Sequence, residues 1–337
     1  MKKILLILSL SLFTSYSISA QKIHSFSEIM KMMTNSPVNY QVELLKNPAP
    51  VPDRNNKVNY NDVYREVNGT SIRSYKYSIP GNVKPIYDEA EKDFSNNKIL
   101  KARELYQKVL SLDSSLYQVI TYIGQTYEMS GNYEEAMKWY RQAIDKNYID
   151  YMAHWFLADA YMKKGEVKKA VDEITMAQIL NRNNVRIHNS LKRIYQAAKM
   201  DTTSWTFNPQ MKIDSIGVNK VEIASDKLWL PYALVTAFWK FELKYSKSMG
   251  VEKGQLSTTQ SKEALAALIG ALKKKDYRKN PELRALQLAI SNKLVTEYIL
   301  YEIWLPQYPQ IAYQFSKSTL NDLRNYVISI RGGKKLK

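Results

Sequence analysis

Near the middle of the chain one stretch of the sequence reads Gly124-Gln-Thr-Tyr127, then Gly131-Asn-Tyr133-Glu-Glu135-Ala136, then Tyr140 and Ala143. Its central alanine recurs once before and once after this stretch, at Ala102 and Ala170, with the same spacing in both directions. Similar residue types repeat around it, so the chain contains three aligned segments of equal length, 83–116, 117–150 and 151–184. A fixed period of this length is typical of stacked supersecondary units.

Each repeated position has a physical role in a pair of helices. A small residue allows the first helix of a pair, helix A, to cross closely over the second, helix B. Gly or Asn ends helix A, because these residues adopt left-handed backbone cheaply. A bulky residue fills the space between the two helices. In the three segments these positions hold, in turn, Ala90, Gly124 and Ala158; Asn97, Gly131 and Gly165; and Tyr106, Tyr140 and Ile174.

These features resemble the tetratricopeptide repeat, a helix–turn–helix unit whose period equals the spacing of the three alanines. The resemblance covers residues 83–184 and implies a right-handed α-solenoid whose A helices line a concave groove. Residues 185–199 continue the phase with Leu191 and Tyr195, and we expect them to form the capping helix of the last repeat. The proline that ends repeats of this family is missing; its positions hold Ser114, Tyr148 and Arg182.

The resemblance also implies which side chains face the groove. By phase they are Tyr87, Glu91, Phe94, Gln118, Thr121, Gln125, Glu128, Trp155, Asp159, Met162, Arg186, Asn189 and Arg193. Such a mixture of aromatic, amide and charged side chains suits an extended peptide or a helix of a partner protein. Alternatively, the flanking regions fill the groove themselves and contact Phe94 and Trp155. The clamp of lysine, asparagine and arginine that binds C-terminal carboxylates in related repeats is absent; its positions hold Tyr87, Glu91, Tyr122, Met152 and Phe156.

The flanks of the repeats carry weaker patterns. Residues 21–82 read as an irregular lead-in with short β elements at 38–45 and 72–79, which one two-stranded sheet would accommodate. Residues 200–337 are expected to form a helical C-terminal domain with a basic tail, after a β segment at 213–223. The predicted fold class is therefore mainly α, with minor β structure. Helices of the C-terminal domain are predicted over 229–247, 259–275, 281–305 and 316–330.

The first twenty residues have the pattern of a secretory signal peptide. Lys2 and Lys3 precede an apolar run over 4–13, and Ala20 ends a small-residue cleavage region. The chain contains no cysteine, so an acylated lipoprotein anchor at the cleavage site is excluded. No later stretch is long and apolar enough to predict a transmembrane helix. We therefore expect an exported, periplasmic or secreted protein of a Gram-negative envelope that is not a lipoprotein.

Charge is unevenly distributed along the sequence. The formal net charge is +17, with most of the excess in residues 201–337. Lysine that coats solvated helix faces accounts for most of such a surplus, and weak attraction to acidic surfaces is the further possibility. Nucleic acid is not an expected partner for a chain with an export signal. The expected partner is a protein or peptide of the cell envelope.

The sequence contains no recognisable set of catalytic or metal-binding residues. Of three histidines, His154 and His188 share one repeat position and are expected to be structural, while His24 stands near the predicted new N-terminus. No histidine pair has zinc spacing. Glycine-rich phosphate loops and the nucleophile elbow G-x-S-x-G are absent as well. The sequence therefore predicts no enzyme, no catalytic residue, no metal and no cofactor.

Two functions remain open on the sequence alone. The first is a periplasmic adaptor or scaffold that binds a peptide or helix of an envelope partner in the groove. The alternative is a glycan- or cell-wall-binding protein that uses the aromatic helices of the C-terminal domain. Those helices carry Trp229, Tyr232, Phe238, Trp239, Phe241, Tyr298, Tyr301 and Trp304. The competing interpretation of these aromatic residues is that they form a core.

Overall fold

The computed structural model describes residues 23–51, 63–68, 71–76 and 78–331. The predicted signal peptide, residues 1–20, and the end of the basic tail lie outside these ranges. The described chain is mostly helical, with consecutive helix pairs and two small sheets. This architecture confirms the predicted fold class.

The helices and strands have the following bounds. The helices are α1 Phe26–Thr34, α2 Lys84–Ser95, α3 Ile99–Leu112, α4 Tyr117–Met129, α5 Tyr133–Lys146, α6 Tyr151–Lys163, α7 Val167–Leu180, α8 Val185–Ala197, α9 Leu230–Phe241, α10 Leu243–Ser248, α11 Thr258–Ala271, α12 Lys274–Lys279, α13 Pro281–Ser291, α14 Val295–Tyr298, α15 Leu305–Gln307 and α16 Lys317–Tyr326. Segments Ile299–Trp304 and Val327–Arg331 are π-helical, and Pro309–Gln314 is a 3₁₀ helix. The strands are β1 Asn39–Leu44, β2 Val63–Asn68, β3 Ser71–Lys76, β4 Met211–Gly217 and β5 Lys220–Ser225.

The predicted repeats are the helix pairs α2/α3, α4/α5 and α6/α7, and each helix packs on the next. Every helix A is followed by a residue with left-handed backbone, since φ is 59° at Asn97, 77° at Gly131 and 76° at Gly165. The predicted helix ends are therefore confirmed. Helix α8 packs on α7 and buries Ile187 and Ile194, so it covers the last repeat.

Helix α4 approaches α5 so closely at Gly124 that no side chain fits. A Cβ atom on Gly124 would lie 2.5 Å from Cε1 of Tyr140 and 2.7 Å from its Cδ1. The equivalent residues of the other repeats, Ala90 and Ala158, are fully buried. The small residue of each repeat therefore sets the distance between its two helices.

The C-terminal elements from α12 onward belong to the same compact unit as the repeats. They pack on α7, the B helix of the third repeat, through α16, the 3₁₀ helix and the second π-helical segment. Tyr148 Oη donates to Asn321 Oδ1 at 2.8 Å, and Asn183 Nδ2 donates to Pro306 O at 3.1 Å. The β2–β3 hairpin joins them through Arg65, whose guanidinium donates to Tyr313 O at 3.1 Å. The B-helix side of the solenoid is thus the side that these elements cover.

A second compact unit consists of residues 23–49 and 209–272 of the described chain. Its three-stranded sheet has the order β1-β5-β4, with β1 parallel and β4 antiparallel to β5. Helices α1 and α11 pack on α9, which also contacts the sheet. The buried Glu263 carboxylate accepts from Trp239 Nε1 at 2.8 Å and from the His24 backbone N–H at 2.7 Å. The start of the described chain is therefore bonded to the helices of this unit.

This unit departs from the predicted division of the flanks into segments 21–82 and 200–337. The predicted β elements at 38–45 and 72–79 do not pair with each other, as a single two-stranded sheet would require. The first is β1, which pairs with β5 (Val42 lies opposite Ile223), and the second is β3, which pairs with β2. The β segment predicted at 213–223 forms the β4–β5 hairpin. Because β1 finds its partner far along the chain, each flank contributes to both units.

Candidate functional site

Most of the predicted groove residues belong to one side of the A helices α2, α4 and α6 and of the cap α8, here called the A-helix face. In the first two repeats, a tyrosine of helix B donates a hydrogen bond to a carboxylate of helix A. Tyr106 Oη donates to Glu91 Oε1, and Tyr140 Oη donates to Glu128 Oε2 at 2.6 Å. The tyrosines are buried and both carboxylates are half-buried. The repeats therefore hold each carboxylate in place while part of it stays accessible.

Half-buried aromatic side chains accompany these carboxylates and are here called the aromatic row: Tyr87, Phe94, Tyr122, Trp155 and Phe156. Ring centroids are 6.5 Å apart for Tyr87 and Tyr122, and 5.7 Å apart for Trp155 and Phe156. Tyr122 and Phe156 were not among the predicted groove-facing residues, although both stand at positions of the clamp that binds C-terminal carboxylates in related repeats. A signal for them existed, since both are aromatic and they occupy the same position in successive repeats.

The third repeat bonds its A-helix face to the cap. Trp155 Nε1 donates to Ser190 Oγ at 3.0 Å, and Arg193 Nη2 donates to Asp159 Oδ1. The helix-B position that holds tyrosine in the other repeats is Ile174, which has no hydroxyl. These contacts of Trp155 lie within the solenoid, as does the ring contact of Phe94 with Tyr106 at 6.4 Å.

Partial burial disfavours the charged forms of the Glu128 and Asp159 carboxylates. Burial raises the pKa of Glu128; the Tyr140 hydroxyl and Lys163 oppose this shift, and Asp159 adds to it. Burial also raises the pKa of Asp159, against the charges of Arg193 and Lys163. A raised pKa means that the charged form is stabilised less than in water. A cation brought by a partner would therefore find a favourable place on the A-helix face.

Two predicted groove residues are placed wrongly by the sequence argument. Thr121 is fully buried, and its hydroxyl donates to Asp150 Oδ2 at 2.7 Å. Gln118 is buried as well, with 7% of its surface exposed. The first half of α4 packs against both α3 and α6, which removes this part of the helix from the surface. Neither side chain belongs to the A-helix face.

The other predicted residues are accessible to different degrees. Gln125 and Met162 are half-buried, on helices α4 and α6. Arg186, Asn189 and Arg193 are exposed on α8. Gln125 occupies the repeat position that holds Glu91 in the first repeat and Asp159 in the third. The central repeat thus presents an amide where its neighbours present carboxylates.

The aromatic residues proposed as a glycan platform are mostly core residues. Trp239 is 3% exposed and donates to Glu263, while Trp229 is 4% exposed. In the other unit, Tyr298, Tyr301 and Trp304 are buried too. Other elements surround α9, α14 and the π-helical segment Ile299–Trp304, and this packing buries their aromatic side chains. The platform prediction is therefore wrong for these side chains.

Within the described ranges, no group of three or more His, Cys, Asp or Glu side chains could hold a metal ion. His154 is buried, with Nδ1 at 2.5 Å from Glu173 Oε2 and Nε2 at 3.0 Å from Tyr148 O, which is a structural arrangement. None of the described helices has the length and apolar character needed to cross a bilayer.

Comparison with known proteins agrees with the repeat geometry. The family model of the tetratricopeptide repeat matches residues 87–147 and 123–184. These residues therefore carry tetratricopeptide repeats, as the sequence predicted. No curated protein matches the chain.

Solved structures with similar folds match about a third of the chain. One is the first TPR domain of Spaghetti (RPAP3) bound to an HSP90 peptide, with 20% identity and a TM-score of 0.33, covering 34% of this chain and 92% of that one. The type III secretion chaperone SycD of Yersinia enterocolitica, in complex with a peptide of the translocator YopD, has 19% identity and a TM-score of 0.33, covering 35% and 96%. The Sgt2 TPR domain of Aspergillus fumigatus has 16% identity and a TM-score of 0.35, covering 36% and 82%.

Proposed function

We propose that this protein is a non-enzymatic adaptor that binds a segment of a partner protein on its A-helix face, and that the segment carries basic side chains. The observation that carries the proposal is the juxtaposition of the aromatic row with the half-buried carboxylates of Glu91, Glu128 and Asp159. Aromatic side chains supply apolar contact area, and the carboxylates supply one anionic position in each of the three repeats.

Accessibility favours this side of the solenoid. The C-terminal elements pack on α7, a B helix, and the described contacts of Phe94 and Trp155 lie within the solenoid. The side chains of the A-helix face are half-buried or exposed, so they retain surface that a peptide or helix can contact. In this mode of recognition, spaced anchors on the ligand enter one groove.

The local charge of the site decides its specificity more than the charge of the whole chain. The formal net charge of +17 would repel a basic partner at long range. At physiological ionic strength, however, charges more than about 8 Å apart are largely screened. A lysine or arginine seated beside Glu128 and Asp159 interacts with these carboxylates at short range, in a partly desolvated place.

The location of this function is part of the proposal. The pattern of residues 1–20 supports export, so the partner would be a protein of the periplasm or of the surrounding envelope. Expression of the full chain, followed by N-terminal sequencing of the periplasmic fraction, tests this point. A protein that stays uncleaved in the cytoplasm would contradict it.

The binding claim can be tested with two designed peptides and the mature chain, residues 21–337. Both peptides are amphipathic helices of about 18 residues, or roughly 27 Å, with the same leucine face and with either lysine or glutamate at the polar positions. We expect the lysine peptide to bind about tenfold more tightly in fluorescence anisotropy, a difference of about 1.4 kcal/mol.

Matched variants locate the effect. The double variant Glu128→Gln/Asp159→Asn should weaken binding of the lysine peptide by about tenfold, since it removes two partly buried anions. The control Glu104→Gln/Asp145→Asn makes the same change of net charge at exposed positions of helices B. Equal losses in the two variants would show that attraction is nonspecific, and equal affinity for both peptides would overturn the proposed basic partner.

A further inference from the structure

A cavity of about 370 Å³ lies at the capped end of the solenoid. Residues of α7, α8, the segment 201–205 and the C-terminal helical region line it. The α8 side chains that line it, such as His188 and Lys192, differ from those on the A-helix face, such as Asn189 and Arg193. Its volume is in the range of small-molecule sites, about 300–1,000 Å³. The cavity is therefore separate from the proposed peptide site.

Two buried polar side chains, Gln178 and Arg182, contribute to its lining; they are 1% and 8% exposed. Gln178 Nε2 donates to Arg182 O at 2.6 Å. In the part of the chain that the structure describes, Gln178 Oε1 and Arg182 Nε have no hydrogen-bond partner. Buried polar atoms of this kind are uncommon in folded proteins, and ligand sites are among their explanations.

The charge of Arg182 is only partly compensated. Its guanidinium lies 4.3 Å from the ring centroid of Tyr301, and its Nη2 is 4.0 Å from Glu302 Oε2, at the limit of an ion pair. Glu302 also accepts a hydrogen bond from Tyr326 Oη at 3.1 Å. A buried guanidinium with one distant carboxylate favours an additional anion.

The mouth of the cavity adds further positive potential. Lys192 is exposed there, and the N-terminus of the thirteen-residue α8 lies beside it, with Asn184 Oδ1 accepting from Arg186 N at 2.9 Å. The acidic residue of the lining, Asp201, is engaged in its own turn, since its Oδ1 accepts from the backbone N–H and the hydroxyl of Thr203. Counted with Arg182 and Lys192, the negative charge of Asp201 leaves the lining one positive charge in excess, and this balance favours a monoanion.

The remaining lining combines aromatic surface with hydroxyl and amide groups. Tyr195 and Trp205 contribute rings, Thr202 and Ser204 contribute hydroxyls, and Asn183 contributes an amide. A ligand that matches these groups has an acid function, several hydroxyls and a ring face. From this combination we infer that the cavity binds a sugar acid of about monosaccharide size.

Isothermal titration with glucuronate tests the inference on the mature chain. We expect saturable 1:1 binding, with an affinity for glucuronate about tenfold above that for glucose, because glucose lacks the carboxylate. Cyclohexanecarboxylate, which has the acid and the ring without hydroxyls, should also bind about tenfold less tightly, because the polar lining is then left unsatisfied. No binding of glucuronate, or equal binding of either comparison compound, would overturn the assignment.

Variants place the binding in this cavity. Lys192→Met should weaken glucuronate binding by about threefold, whereas Lys168→Met, an exposed lysine of α7 outside the lining, should leave it unchanged. Arg182→Met alone would leave Glu302 buried without its cation, so the double variant Arg182→Met/Glu302→Gln is used. It should abolish measurable binding while circular dichroism reports a folded solenoid. Wild-type affinity in both cavity variants would rule out this cavity as the site.

Discussion

The second and third repeats hold the carboxylate of helix A in place through different partners. In the second repeat, the carboxylate of Glu128 is held by a hydroxyl of its own helix B, Tyr140 Oη, at 2.6 Å. In the third, helix B offers Ile174, and the carboxylate of Asp159 pairs with Arg193 of the capping helix. The first contact involves a fully buried tyrosine, whereas the side chain of Arg193 is 55% exposed.

The difference shows where the A-helix face is preorganised. A repeat that fixes its own carboxylate keeps the position of that anion whatever its neighbours do, because the tyrosine is locked in the core. The third repeat depends on the cap, through the long and largely exposed side chain of Arg193. We therefore expect the centre of the face to be the rigid part of the site and its capped end to be the adaptable part.

Gly124→Ala should disrupt the packing of the second repeat and cause a large loss of stability. The new Cβ would lie 2.5 Å from Tyr140 Cε1, so that either the ring or the helix must move. Overpacking of this kind costs about 1–3 kcal/mol, and urea denaturation of the mature chain measures it. Gly270→Ala, in α11, is the matched control, since nothing lies within 4 Å of its Cβ position. An unchanged midpoint in the Gly124 variant would contradict the close crossing.

Tyr140→Phe measures how much the Tyr140 hydroxyl, which holds Glu128, contributes to stability. It removes the donor to Glu128 and keeps the ring, so we expect a loss of about 1.5–2 kcal/mol, as for hydrogen bonds to charged groups. A double-mutant cycle with Glu128→Gln measures the coupling between the two side chains. If the two single losses simply add, the hydrogen bond does not stabilise the repeat and the contrast with Ile174 has no energetic basis.

The sequence could predict the repeats because their evidence is periodic. Spacing placed the left-handed residues Asn97, Gly131 and Gly165, and phase placed most of the A-helix face. The phase argument wrongly placed Thr121 in the groove, because the burial of Thr121 depends on how α4 packs against α3 and α6. It also missed the pairing of β1 with β5, which joins residues such as Val42 and Ile223 that no local pattern connects. Nor does a period reveal that Tyr140 and Glu128 meet, because the hydrogen bond joins two different helices.

The pH dependence of stability should differ in sign between a carboxylate on the A-helix face and one at the surface. Burial raises the folded-state pKa of Glu128 above its ordinary value of 4.5. Its contribution to the free energy of unfolding is therefore greatest below pH 4.5 and is lost as the pH rises through the folded-state pKa. As the pH rises from 4.5 through the folded-state pKa of Glu128, the wild type should therefore lose stability relative to Glu128→Gln. Urea denaturation at a series of pH values measures this difference.

Glu134 provides the control with the opposite sign. Lys164 lowers the pKa of this exposed carboxyl, so its contribution is present above pH 4.5 and is lost as the pH falls through the folded-state pKa. Wild type should therefore gain stability relative to Glu134→Gln as the pH rises, although by less, because water screens the pair. Parallel pH profiles for the two differences would contradict the burial of Glu128.

Arg193→Met should weaken the contact between the third repeat and the cap, with only a small loss of stability. It removes the cation that pairs with Asp159 and retains much of the apolar length of the side chain. Because the side chain of Arg193 is largely exposed, we expect a loss of about 0.5 kcal/mol in urea denaturation, and a smaller one at high salt. The loss in Tyr140→Phe should change little with salt, since that bond is anchored in the core. A loss in Arg193→Met that equals that of Tyr140→Phe and persists at high salt would reverse the assignment, and the capped end would then be the rigid part of the face.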